Sequence, residues 1–167
     1  MKRKVYTIVL IAFVFTAFFA VRPVYRLCLT NPVDGKTVKS FPIRNGEEFT
    51  IRFIHSVERT PWIEKFEIIN DNQIYLKETV TFSFGAGLPT YSENFSFEEE
   101  GMTISDINEK MDHLIYKVGG VIANHTLVYR GKNYYFSDYI EPFKSAGVEV
   151  VRRPLYRFLI EEVTNIG

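Results

Sequence analysis

Two runs of alternating residues constrain this chain more than anything else in it. Phe49, Ile51, Phe53 and His55 recur at every second position, and Trp62, Glu64, Phe66 and Ile68 do the same. Side chains alternate faces along a strand, so each set points one way. Two such runs in succession predict an antiparallel hairpin with one face in a core. Glu58-Arg59-Thr60-Pro61 reads as the turn, because proline holds φ at about −65° and lacks the N–H that a ladder needs. Symmetric closure about that turn sets Phe53 opposite Phe66, Ile51 opposite Ile68 and His55 opposite Glu64. Opposed Cβ atoms lie about 4.5–5.5 Å apart, close enough for an ion pair. Two readings of the pair stand side by side: His55 and Glu64 satisfy each other and pin the register, or they line a pocket and meet a ligand or partner.

The N-terminus carries the second constraint. Lys2, Arg3 and Lys4 precede an uncharged run from Val5 to Val21, which Arg22-Pro23 ends. A spanning helix needs about 17–25 apolar residues, and the apolar region of a cleaved signal about 7–15. Phe18 stands two positions before Ala20, so no small-x-small cleavage site closes the run. Residues 1–22 are therefore read as a signal anchor and 23–167 as one domain. The basic front end places that domain outside the cytoplasm of a single-pass membrane protein. Secretion after cleavage is the alternative.

Charge and cysteine content narrow the class. From residue 23 onward the chain carries sixteen basic and twenty acidic residues, a net −4, which argues against nucleic acid as a partner. The single cysteine, Cys28, excludes an internal disulfide and reads as a buried strand residue. Fifteen Phe and ten Tyr favour strands.

Further strands are predicted at 24–30 and 37–43, and a long one follows a three-residue Asn70-Asp71-Asn72 loop with a bulge. On that long strand Ile74, Leu76, Glu78, Val80, Phe82 and Phe84 share a face. Gly85-Ala86-Gly87-Leu88-Pro89 then forms a shaped turn or pocket edge; no Lys-Ser/Thr or helix follows to make it a phosphate loop. Residues 90–101 read as an exposed acidic loop. Asp106 and Glu109 suggest a capped short helix to about residue 114, followed by a strand at 114–118. A hairpin over 124–139 turns at Gly131-Lys132 and pairs Tyr129 with Tyr134 and Leu127 with Phe136. Strands at 148–151 and 155–159 close the chain. Many short strands between turn signals predict a mainly β fold, an antiparallel β-sandwich or partly open barrel behind one transmembrane helix.

No motif for a metal, nucleotide or nucleophile site appears, and no cofactor is expected. Ser56 alternates away from His55, which weakens a serine–histidine dyad. A metal site would need His125 to join His55 and Glu64, and so needs the two hairpins to meet. No catalytic role is assigned. The candidate ligand, partner or structural site is His55, Ser56, Glu58, Pro61 and Glu64, with Gly85, Ala86, Gly87, Leu88 and Pro89, and His125.

His55-Ser56-Val57, Pro61, Glu64 and Phe66, followed by Ser83-Phe84-Gly85-Ala86-Gly87-Leu88-Pro89, resemble the bacterial family called domain of unknown function 1850. Val118-Gly119, His125-Thr126-Leu127 and Gly147-Val148-Glu149-Val150 fit its looser C-terminal pattern. The resemblance spans roughly residues 25–155. It implies a small membrane-anchored or secreted protein with an accessory role near a tripartite ATP-independent periplasmic (TRAP) transporter, whose permease or solute receptor would be the partner. It implies no mechanism. The alternative is a small-molecule binding module with a polar-ended pocket at His55 and Glu64; a metal-dependent hydrolase stands behind both.

Overall fold

A computed structural model describes residues 2–70, 72–83, 95–98, 101–120 and 122–164. The uncharged N-terminal run, together with Lys2, Arg3 and Lys4 before it, forms helix α1 (Lys2–Val21), none of whose residues is buried. At 1.5 Å per residue it is about 30 Å long, the thickness of a bilayer's hydrocarbon core. Strands β1 (Pro23–Asn31), β2 (Lys36–Pro42), β3 (Glu48–Ile54), β4 (Pro61–Ile69) and β5 (Gln73–Thr81) follow. The next are β6 (Phe95–Glu98), β7 (Gly101–Ile104), β8 (Glu109–Met111), β9 (Leu114–Lys117), β10 (Thr126–Tyr129) and β11 (Lys132–Tyr135). A 3-10 turn (Phe136–Asp138), β12 (Ser145–Pro154) and helix α2 (Leu155–Thr164) complete the described chain.

The strands build two antiparallel sheets, ordered β2-β1-β12-β9 and β11-β10-β3-β4-β5-β7-β6, with β8 also on β5. Neither closes into a barrel. One core lies between them. Leu27, Leu29 and Val148 come from the small sheet, and Phe49, Ile51, Phe66, Ile68 and Leu127 from the large one. Cys28 is fully buried on the other side of β1, where Phe158 of α2 is also fully buried. Burial pushes the Cys28 thiol up to about 12, helped by the charge of Glu149, so it stays protonated and inert.

The β3–β4 hairpin forms where the alternation places it, but in another register. Phe49 faces Phe66, Ile51 faces Glu64 and Phe53 faces Trp62. Each β3 residue thus meets a β4 residue four positions earlier than expected, and the His55–Glu64 pair is not made. His55 N donates to Thr60 O (2.9 Å) and Arg59 N to His55 O (2.8 Å), with Arg59 at φ +58°. The turn is thereby a six-residue loop from His55 to Thr60. Pro61 opens β4, a place where its missing N–H breaks no ladder. The shift is even, so every inward face is kept.

Other departures share one cause: local conformation overrides a weak pattern. The β4–β5 loop does span three residues, with Ile69 facing Gln73, and a bulge lies beyond it between Lys65 and Phe66. The bulge switches the buried face of β5 from Ile74 to Thr79 and Thr81, so Glu78, Val80 and Phe82 do not continue the Ile74 face. Asp106 and Asn108 take φ of +55° and +52°, which no helix tolerates, and β8 pairs with β5 in place of the expected helix. Part of the supposed acidic loop is the β6–β7 hairpin. The β10–β11 turn sits at Arg130-Gly131, both at positive φ, which moves Leu127 opposite Tyr134 and Tyr129 opposite Lys132. The two closing strands are instead one long strand, β12, and a helix, α2.

Candidate functional site

Two rows of side chains cross the inner face of the large sheet near the His55–Thr60 loop. One continues from Leu127 through Ile51, Glu64 and Thr79 to Ile104. Glu64 is the one ionisable group in that row. The next row carries Phe53, Trp62, Thr81 and Met102. His125 extends it at the β10 side, with its ring stacked on Phe53 at 4.8 Å. The β5 bulge matters here, because it turns Thr79 and Thr81 inward beside Glu64 and Trp62.

Glu64 is held by two donors. Tyr116 reaches across from β9 of the small sheet, and its hydroxyl donates to Oε2 at 2.6 Å. Trp62 Nε1 donates to Oε1 at 3.2 Å. Burial nonetheless holds the Glu64 carboxyl above its ordinary 4.5, against these two bonds, which favour the charged form. Burial also raises the Tyr116 hydroxyl, and the neighbouring Glu64 charge pushes it further the same way. Tyr116 therefore stays a donor.

His125 sits among rings: Phe53 at 4.8 Å, Tyr116 at 5.4 Å and Phe136 at 5.9 Å. Backbone bonds set it there. His125 N donates to Ala123 O (3.1 Å) and Phe136 N to His125 O (2.9 Å). Gly119 makes the supporting turn possible, since a Cβ there would lie 2.5 Å from the Ala123 carbonyl oxygen. His125 is 7% exposed, and among the described residues its Nδ1 makes no well-aligned hydrogen bond, the Ala123 carbonyl being its nearest acceptor. Burial lowers its pKa below the ordinary 6.5, opposed by the Ala123 carbonyl.

The expected site residues divide accordingly. Glu64 and His125 belong to one aromatic end of the sandwich. His55 stands at its edge, 5.9 Å from the Trp62 ring, with Nδ1 accepting from Glu58 N at 3.4 Å. Ser56 is exposed in the loop and Pro61 begins β4. Gly85, Ala86, Gly87, Leu88 and Pro89 lie outside the described residues. The two hairpins do meet, through β3 and β10. Among the described residues, no three His, Cys, Asp or Glu side chains are grouped to hold a metal ion. Tyr116 and Phe136 were not legible as site residues, because each comes from an element whose placement depends on the other sheet or on a 3-10 turn.

The profile of a family described as a domain of unknown function, DUF1850, matches residues 49–136. The chain belongs to the DUF1850 family. The matched DUF1850 segment runs from β3 to the 3-10 turn and contains Phe53, Trp62, Glu64, Tyr116, His125 and Phe136. The helices and strands β1, β2 and β12 lie outside it. No curated protein and no solved structure matches this DUF1850 chain.

A buried, unpartnered imidazole nitrogen costs about 1–3 kcal/mol. His125→Phe should therefore stabilise the full chain in detergent by about that amount, since a phenyl ring suits the Phe53–Phe136 stack. The gain should be constant above the ordinary imidazole value and grow below it. A lowered folded pKa contributes stability that is present above 6.5 and lost as pH falls through the folded value. Glu64 works in the opposite sense: its raised folded pKa contributes stability present below 4.5 and lost as pH rises. Melting temperatures of both chains between neutral pH and the carboxylate range check this. A variant-to-wild-type difference that is flat with pH would contradict the assignment to His125.

Proposed function

We propose that this DUF1850 protein is a membrane-anchored, extracytoplasmic accessory module that recognises a membrane partner through the aromatic end of its sandwich. The observation that carries the reading is His125: a buried imidazole whose Nδ1 has no hydrogen-bond partner among the described residues, packed on Tyr116, whose hydroxyl in turn holds Glu64. Proteins retain such unsatisfied groups where function needs them. The uncharged stretch Val5–Val21 of α1, behind Lys2, Arg3 and Lys4, supports anchoring with the domain outside. The family resemblance points to a TRAP-type permease or its solute receptor as the partner. The role assigned is binding, with His55 Nδ1 accepting from Glu58 N and Glu64 accepting from Tyr116 and Trp62.

A groove favours a second reading, a small-molecule binding module. It has a volume of about 380 Å³ and is bordered by Arg52, Ile54, Pro61, Trp62, Ile63 and Phe82, so it is not the expected pocket at His55 and Glu64, neither of which lines it. That size falls within the usual range for small ligands. Mild crosslinking of the tagged full chain in its native membrane, followed by mass spectrometry, separates the two. Enrichment of a transporter permease or solute receptor over a tag-only control is expected. No enriched membrane protein, together with thermal shifts of the full chain on addition of small solutes, would replace the first reading with the second.

A further inference from the structure

Helix α2 is apolar on two opposite sides. Phe158 is fully buried against the outer face of the small sheet, with the Arg26 guanidinium 5.2 Å from its ring centre. On the far side Tyr156, Leu159, Ile160 and Val163 are 38%, 50%, 57% and 73% exposed. Their spacing of three, one and three residues places them in one stripe along the helix. A second apolar stripe this exposed on a surface helix calls for an apolar surface to meet it.

The position of the helix says what the cover is. Leu155 N, at the start of α2, donates to the carbonyl of Arg22 at 3.1 Å, and Arg22 directly follows α1. Pro23 faces Pro154 across the β1–β12 ladder, and α1 and α2 touch. The stripe therefore begins at the level where α1 leaves the domain. Arg22, Arg152 and Arg157 are exposed around the same point. Arg153 is tied to Glu161 at 2.8 Å. An apolar stripe with basic residues beside it is the pattern of a helix lying in a lipid–water interface.

We propose that α2 lies on the bilayer, with Tyr156, Leu159, Ile160 and Val163 in the acyl boundary and Arg22, Arg152 and Arg157 at the phosphate level. This rests on α1 being a membrane anchor. The lipid contact makes α2 a second attachment, which fixes the tilt of the β domain. A single anchor followed by a free linker would leave that tilt open.

Spin labels test it on the full chain in vesicles of equimolar phosphatidylcholine and phosphatidylglycerol. Leu159→Cys and Val163→Cys report the stripe; Val33→Cys, 86% exposed in the turn at the far end of β1, reports water. Cys28 is buried and stays unlabelled. Collision with oxygen, relative to a water-soluble nickel complex, should be several-fold higher at 159 and 163 than at 33. Vesicle-bound chain with equal ratios at all three sites would overturn the lipid contact and leave the anchor standing. Strong dipolar broadening between copies at 159 would overturn it in favour of a second chain. Chain that does not float with the vesicles would overturn the anchor and the inference together.

Discussion

Phe66→Ala is expected to destabilise the domain by about 3–5 kcal/mol. Phe66 is 1% exposed and lies opposite Phe49, itself 2% exposed, with ring centres 5.0 Å apart and planes 18° from parallel. The pair stands where side chains of both sheets meet. Truncation therefore loses the transfer energy of the ring and leaves a cavity that two β-sheets cannot easily collapse. Domains of this size have about 5–15 kcal/mol in total, so much of the stability would go. Thermal unfolding of the full chain in detergent measures it, with Val57→Ala as a control. Val57 is 80% exposed in the hairpin loop and should change stability by no more than about 0.5 kcal/mol. A Phe66→Ala loss under about 1 kcal/mol would contradict a shared core between the sheets.

Ile11→Arg is expected to release the protein from membranes. Ile11 is near the middle of α1 and 61% exposed. An arginine at the centre of a spanning helix raises the insertion free energy by about 2.5–3.5 kcal/mol, and replacing isoleucine forfeits a further few tenths. A total of about 3 kcal/mol is more than a hundredfold in the insertion equilibrium. The same change would do little to the β domain, because no residue of α1 is buried against it. Fractionation after alkaline extraction reads the outcome: wild type stays in the membrane pellet and the variant moves to the supernatant. A variant retained as well as wild type would contradict anchoring by α1.

What the sequence made legible follows from range. The alternation at 49–53 and 62–68 depends only on neighbours along one strand, and both inward faces are found as expected. Register depends on the loop. The positive φ of Arg59 and the His55–Thr60 bond moved the partners of His55 and Glu64 without changing their faces. Glu64 was picked out because a carboxylate broke an apolar face. Its true partner Tyr116 is 52 residues away on the other sheet, beyond any local pattern. The sequence places His125 near His55 and Glu64 only on condition that the two hairpins meet, and β3–β10 pairing meets that condition. The segment after Pro154 is a helix and not a strand, because Pro154 ends β12 and Tyr156, Leu159, Ile160 and Val163 recur at helical spacing.

The most direct test of the recognition site is a photo-crosslinker placed at Val57, on the loop beside the aromatic end, in the full chain in its native membrane. Glu48, exposed at the other end of β3, serves as the control position. The account predicts adducts to a transporter permease or solute receptor from position 57 but not from 48, and their loss in a His125→Phe background that is still folded. Equal capture from both ends, or capture at 57 that His125→Phe leaves intact, would contradict it.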